Sequence, residues 1–172
     1  MTDTPEAPMQ LHRVVVTGLP VPVHARASEH QAELQREFQL ILIGSQEHDV
    51  DVPKRLFELV EIINAQFESF SAEQVQLLDE AVARGDETID LVYELPHAVK
   101  PACISLNQML DECDDYCRRG ESLLTLATPP EAIAYRRWFL GEFVAQVDGA
   151  EPLPWAEADV EALLASSKLR GE

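Results

Sequence analysis

Basic residues are few. Lys and Arg together number 13 against 31 Asp and Glu, for a formal net charge of −18. A field of that sign repels phosphate backbones and anionic headgroups, so nucleic acid and membrane surfaces are not expected as partners. A basic protein or basic patch is the better match, although the same imbalance also serves plain solubility. Glycine is scarce at seven residues, which argues against a phosphate-cradling loop. No P-loop, dinucleotide turn, nucleophile elbow or kinase signature occurs. With no catalytic motif, a non-enzymatic role without a cofactor is expected. No apolar run approaches membrane-spanning length. The first ten residues, MTDTPEAPMQ, lack the basic-then-apolar pattern of a secretory signal, which points to the cytoplasm.

Cysteine is limited to Cys103, Cys113 and Cys117. All three project to the apolar side of one predicted helix, and spacings of ten and four match no zinc-knuckle pattern. In a reducing compartment such cysteines act as small buried hydrophobes, so a core position is expected and no metal.

What is present is a globular chain of 172 residues, 46% apolar, long enough for one domain with a real core. The expected layout is a flexible segment 1–10, a helical domain 11–168 and a flexible end 169–172. Leu11–Thr17 is β-branched and reads as a strand, broken by Gly18 and Pro20. The first helix is predicted from Val23 to Ile43, with Ala27, Leu34, Phe38 and Ile41 inward. A polar turn follows over Gly44–Asp51. The second helix starts near Pro53 and carries Leu56, Leu59, Val60, Ile63, Phe67 and Phe70 at helical spacing. Ser71 with Gln74 reads as a capping box opening a third helix that stops at Gly85. Thr88–Leu95 alternates, with Ile89, Leu91, Tyr93 and Leu95 on one side, and reads as a strand or as an extended crossover laid on the bundle; as a strand it is a candidate to pair with the first one over a supporting helix. The fourth helix ends at Arg118-Arg119. Its predicted core face includes Val99, Leu106, Met109, Leu110 and Tyr116, and its outer face is acidic at Asp111, Asp114 and Asp115. After a connection over Glu121–Ala127 comes the richest stretch, Thr128–Trp155, and then a short last helix over about Ala156–Ser167. The fold class expected is mainly α: a bundle of about six helices with a small two-stranded β element.

In that richest stretch Thr128 is a candidate N-cap, Pro129 and Pro130 suit a first turn, and Gly149 suits a left-handed stop. Ile133, Phe139, Leu140, Phe143, Val144 and Val147 share one face at about 100° per residue. Arg136 falls in the middle of that face. Either it snorkels to water, or it pairs with a carboxylate of another helix, Glu33 and Glu37 being the candidates, or it meets a ligand anion. On this pattern Arg137 is expected to matter little. Tyr135, Trp138 and Glu142 fall on the opposite side. They form either a partner-docking surface or a rim covered by the tail after Gly149. His30, Glu33 and Glu37 share a strip of the first helix. Their order does not match a bundle di-metal site, and a polar cluster at the core edge with Arg136 is expected.

EHQAELQREF, ETIDLVYELP and LLTLATPPEAIAYRRWFLGEFVAQVDGAEPLPW together resemble a family of small bacterial proteins. Members are encoded beside partner-switching regulators: STAS-domain antagonists, kinase-like anti-sigma factors and PP2C-type phosphatases. The resemblance covers Val14 to Trp155 and implies a context in transcriptional or stress signalling, with no catalytic residues attached. The reading that follows is an acidic interaction module binding another signalling protein, a basic one or a second copy. The alternative is a sensor holding a small ligand or anion inside the bundle.

Overall fold

The computed structural model describes residues 10–44, 51–119 and 127–172, with side chains except at 41–42 and 51–53. The expectations for residues 1–9, for the turn after Gly44 and for most of the connection before Thr128 fall outside them, as does the side chain of Ile41.

The order is β1 (Leu11–Pro20), α1 (Val21–Gly44), α2 (Asp51–Arg84), β2 (Thr88–Pro96), α3 (Val99–Arg119), α4 (Pro130–Val147) and α5 (Val160–Ala165), with a 3-10 turn at Trp155–Glu157. The fold is mainly α with one two-stranded antiparallel sheet. Among the described residues no helix is long and apolar enough to cross a membrane.

The two strands pair, Val15 opposite Val92 and Val16 opposite Leu91. The first strand does not stop at Thr17. One extra residue between Val16 and Leu19 makes a bulge, and Gly18 takes φ of +62° there. Its amide donates to Asp90 Oδ1 at 2.6 Å. Only glycine adopts that backbone without strain, so the residue read as a strand breaker instead carries the strand on to Pro20.

Helices two and three of the sequence reading are one helix. Ser71 lies in the interior of α2, and its hydroxyl donates back to the Phe67 carbonyl at 3.1 Å, a bond of the helix interior and not of a cap. At 1.5 Å per residue α2 is about 50 Å long. A proline at Ala72 separates the two arrangements. It would suit a first turn, whereas inside a continuous helix it removes a hydrogen bond and clashes one turn back. Ala72→Pro is expected to cost about 3 kcal/mol in urea unfolding. A cost near zero would restore the break at Ser71.

The core has two parts. Val14, Val16, Leu19, Leu91, Tyr93 and Leu95 of the sheet pack on Trp138, Phe143, Val144 and Val147 of α4. Further along, Leu34 and Phe38 of α1 meet Leu56 of α2 and the second half of α3, including Cys113, Tyr116 and Cys117. All three cysteines are buried and free. Burial pushes the Cys103 and Cys113 thiols up to about 12 and Cys117 to about 11. The reactive thiolate is therefore scarce near neutrality.

Among the described residues the sheet has two strands, and glutamine side chains meet both of its edges. The Gln146 side chain of α4 accepts from the Val15 amide and donates to its carbonyl, both at 2.9 Å. From the other edge Gln74 of α2 donates to the Val92 carbonyl at 2.6 Å. Both edge groups of Val15 and the carbonyl of Val92, which would template another chain, are thereby occupied, while the Gln74 Oε1 atom is enclosed without a partner.

The last helix is shorter than expected, starting at an Asp159 cap that accepts from Ala162 N at 3.0 Å. The chain end is not loose. Leu169 is buried, and Gly171 at φ +87° lies so close to α4 that an added Cβ would sit 2.6 Å from Ala145 Cα.

Candidate functional site

The polar centre of the molecule is built by two adjacent arginines of α4 and two aspartates one helical turn apart on α3. Arg136 Nη2 donates to Asp111 Oδ1 at 2.5 Å, and its Nη1 donates to Asp114 Oδ2 at 3.0 Å. Arg137 Nη2 shares Asp111 Oδ1 at 2.9 Å. The other arm of Arg137 donates to the carbonyls of Leu163 and Leu164 at 2.8 and 3.3 Å, closing the end of α5. Two cations thus meet two anions, and the cluster carries no net charge.

This corrects three expectations. The carboxylates for Arg136 are Asp111 and Asp114, not Glu33 or Glu37. Asp114, read as part of an outer acidic face, is buried, while Asp115 is exposed. Arg137 is buried and as fully engaged as Arg136. Glu33 and Glu37 lie half-buried on α1. The Glu37 Oε2 atom is enclosed without a hydrogen-bond partner, and the Glu37 charge helps raise the Cys117 thiol after burial and Asp114.

Thr128 does not cap α4; Pro129 holds that position. The Thr128 hydroxyl instead donates to Asp114 Oδ1 and meets His30 Nε2 at 3.2 Å. Its single hydrogen is committed to a carboxylate, so His30 donates from Nε2, and in the neutral imidazole Nδ1 is then the acceptor nitrogen. His30 therefore joins the Arg136 cluster, through Thr128 and Asp114, while Glu33 and Glu37 do not. Among the described residues no group of three or more His, Cys, Asp or Glu could hold a metal.

The supposed docking face of α4 lies inside the molecule. Tyr135, Trp138 and Glu142 are 6, 2 and 0% exposed. Trp138 Nε1 donates to the Leu153 carbonyl at 2.8 Å, and Trp155 packs against it edge-on with ring centres 5.5 Å apart. Glu142 accepts from Gln146 Nε2, the Leu153 amide and Arg170 Nη1 at 2.8, 2.9 and 2.5 Å. The chain after Gly149 folds back over these residues, so they cannot anchor a partner. Tyr135 shares a hydrogen bond with His24 Nδ1 at 2.9 Å. Burial holds the Tyr135 hydroxyl above its usual range. It also lowers the His24 pKa, with Asp79 opposing. Neutral His24 therefore accepts from Tyr135.

Sequence reasoning missed Asp111, Asp114, Arg137, Gln146 and Arg170 as partners. One signal was available: apolar residues occur all around α4, the mark of a helix buried on every side.

Beside the cluster lies a cleft of about 430 Å³ between α1, α3 and α4, with Val60 of α2 on its border. Leu34, Leu106, Leu110, Phe139 and Leu140 make its apolar wall, and His30, Asp114, Thr128 and Arg136 its polar end. A second hollow, of about 240 Å³, adjoins it under α2. Leu106, Phe139 and Leu140 belong to both. No family model, curated protein or solved structure matches the chain.

Proposed function

We propose that this is a non-enzymatic regulatory domain that senses an uncharged small molecule in the cleft between α1, α3 and α4. One observation carries the reading: a largely apolar cleft of about 430 Å³ that ends in a charge-balanced polar cluster. Its size falls in the range of small-molecule sites, about 300–1,000 Å³, where apolar walls bind and a few polar groups orient.

The charge balance selects the ligand. Both terminal nitrogens of Arg136 are occupied by aspartates. The Arg136 Nε–H is enclosed without a partner, but its charge is already balanced by the aspartates, so an anion would enter beside Asp114 with no net positive charge to receive it, and that burial is costly. A neutral molecule with a hydroxyl or amide N–H meets the acceptor His30 Nδ1 instead.

The output we assign is contact with another signalling protein in the cytoplasm, in line with the family resemblance. α2 favours a basic partner on its exposed side. From Leu56 to Ala83 it holds Glu58, Glu61, Glu68, Glu73, Asp79 and Glu80 and no Lys or Arg.

A matched pair of dyes tests the cleft. N-phenylnaphthylamine is neutral with one N–H; anilinonaphthalene sulfonate adds a sulfonate to the same skeleton. The neutral dye is expected to bind saturably, one per chain, and the sulfonate at least about tenfold more weakly. Ala132→Phe inside the cleft, or Ala32→Trp at its rim, should abolish the signal. Equal binding of the two dyes, or binding indifferent to both substitutions, sinks the reading.

A further inference from the structure

The hollow under α2 has a different character from the cleft it adjoins. Phe67 and Val75 of α2, Tyr93 of β2, Ala102 and Cys103 of α3 and Phe143 of α4 surround it. Its polar groups are nearly all spent. The Ser71 hydroxyl is bonded to Phe67, and the Cys103 thiol is protonated, its pKa raised by burial. Leu106, Phe139 and Leu140 line both spaces, which are therefore neighbours across these three side chains. A molecule seated at the polar end of the cleft would, on passing them, reach a space that offers almost only apolar contact.

We propose that the ligand is a chain amphiphile. Its uncharged head, a hydroxyl or amide, lies at His30 and Thr128, and its hydrocarbon tail runs across Phe139 into the hollow under α2. The proposal rests on the cleft being a ligand site and adds the tail's place and chemistry. Val75, at 55% exposed, marks the α2 edge of the hollow. A side chain that size, left open to water beside an apolar hollow, is covered when the tail is in place.

Straight-chain primary alcohols from hexanol to tetradecanol, competed against N-phenylnaphthylamine, test this. Each added methylene buried in the hollow should tighten binding about fourfold until the space is full. Ala102→Phe fills the hollow and should end the gain several methylenes earlier, leaving hexanol binding unchanged. Should that variant fail to fold, Val75→Trp at the exposed edge serves the same purpose. A series that stops gaining at the length of the cleft, with no response to either substitution, overturns the tail site and leaves the cleft reading intact. Binding of the dye with no alcohol competing overturns the amphiphile alone. If neither dye nor alcohol binds, the cleft reading itself falls.

Discussion

Replacing Asp111 by alanine is expected to lower the unfolding free energy by about 3 kcal/mol. Its Oδ1 alone receives both Arg136 and Arg137. The arginine side chains are 13 and 10% exposed, so neither reaches bulk water without moving. Breaking a buried pair from one side costs about 3–5 kcal/mol, because the remaining charge stays desolvated. The lower end applies here, since 20% of the Asp111 side chain is exposed and Asp114 still holds Arg136. Asp115→Ala is the control. It breaks an i, i+3 pair with Arg118 in which both side chains are about two-thirds exposed, at 65 and 64%. Such a pair contributes no more than about 1 kcal/mol. Urea midpoints with an unchanged slope would measure both. Equal effects would mean that water reaches the cluster. The same geometry predicts that Arg137→Ala is as damaging as Arg136→Ala.

Arg170→Ala is expected to be comparably harmful, although Arg170 is two residues from the end of the chain and 33% of its side chain is exposed. The cost lies on the other partner. Glu142 is fully buried, and without Arg170 its charge keeps only two neutral donors, Gln146 Nε2 and the Leu153 amide. About 3 kcal/mol is again the scale. The double variant Glu142→Gln with Arg170→Ala should recover a large part of the loss. Glutamine removes the stranded charge yet can still accept from Leu153 through its carbonyl oxygen. A single variant costing under about 1 kcal/mol would place this contact with ordinary surface pairs. So would a double variant worse than the single.

Both results bear on function. The Asp111 cluster holds Arg136, which keeps the head of the proposed ligand site neutral. The Glu142 cluster holds the tail over Trp138, which keeps that side of α4 from any partner. Gln146 links the second cluster to β1, so the sheet, α4 and the chain end stabilise one another.

Local chemistry in the sequence determined the helical class, the strand over Leu11–Thr17, the start of α2 and the stops at Gly85 and Gly149. Those depend on periodicity, on proline and on left-handed glycine, all of which act over a few residues. The burial of the three cysteines was legible for the same reason: they share the apolar side of one helix. Tertiary structure decided the rest, and it alone settled the pairing of the two strands. Ser71 with Gln74 satisfies a capping pattern and a helix interior equally well, and packing against the sheet selects the interior. Asp111 and Asp114 look solvated on a helical wheel until α4 lays Arg136 and Arg137 against them. Tyr135, Trp138 and Glu142 look outward until residues 150–172 fold back over them. In each case the choice depends on a partner at least 15 residues away, as between Trp138 and Leu153. A charge or an indole gains from burial only after that partner has supplied the matching group, and no local pattern can say that it will.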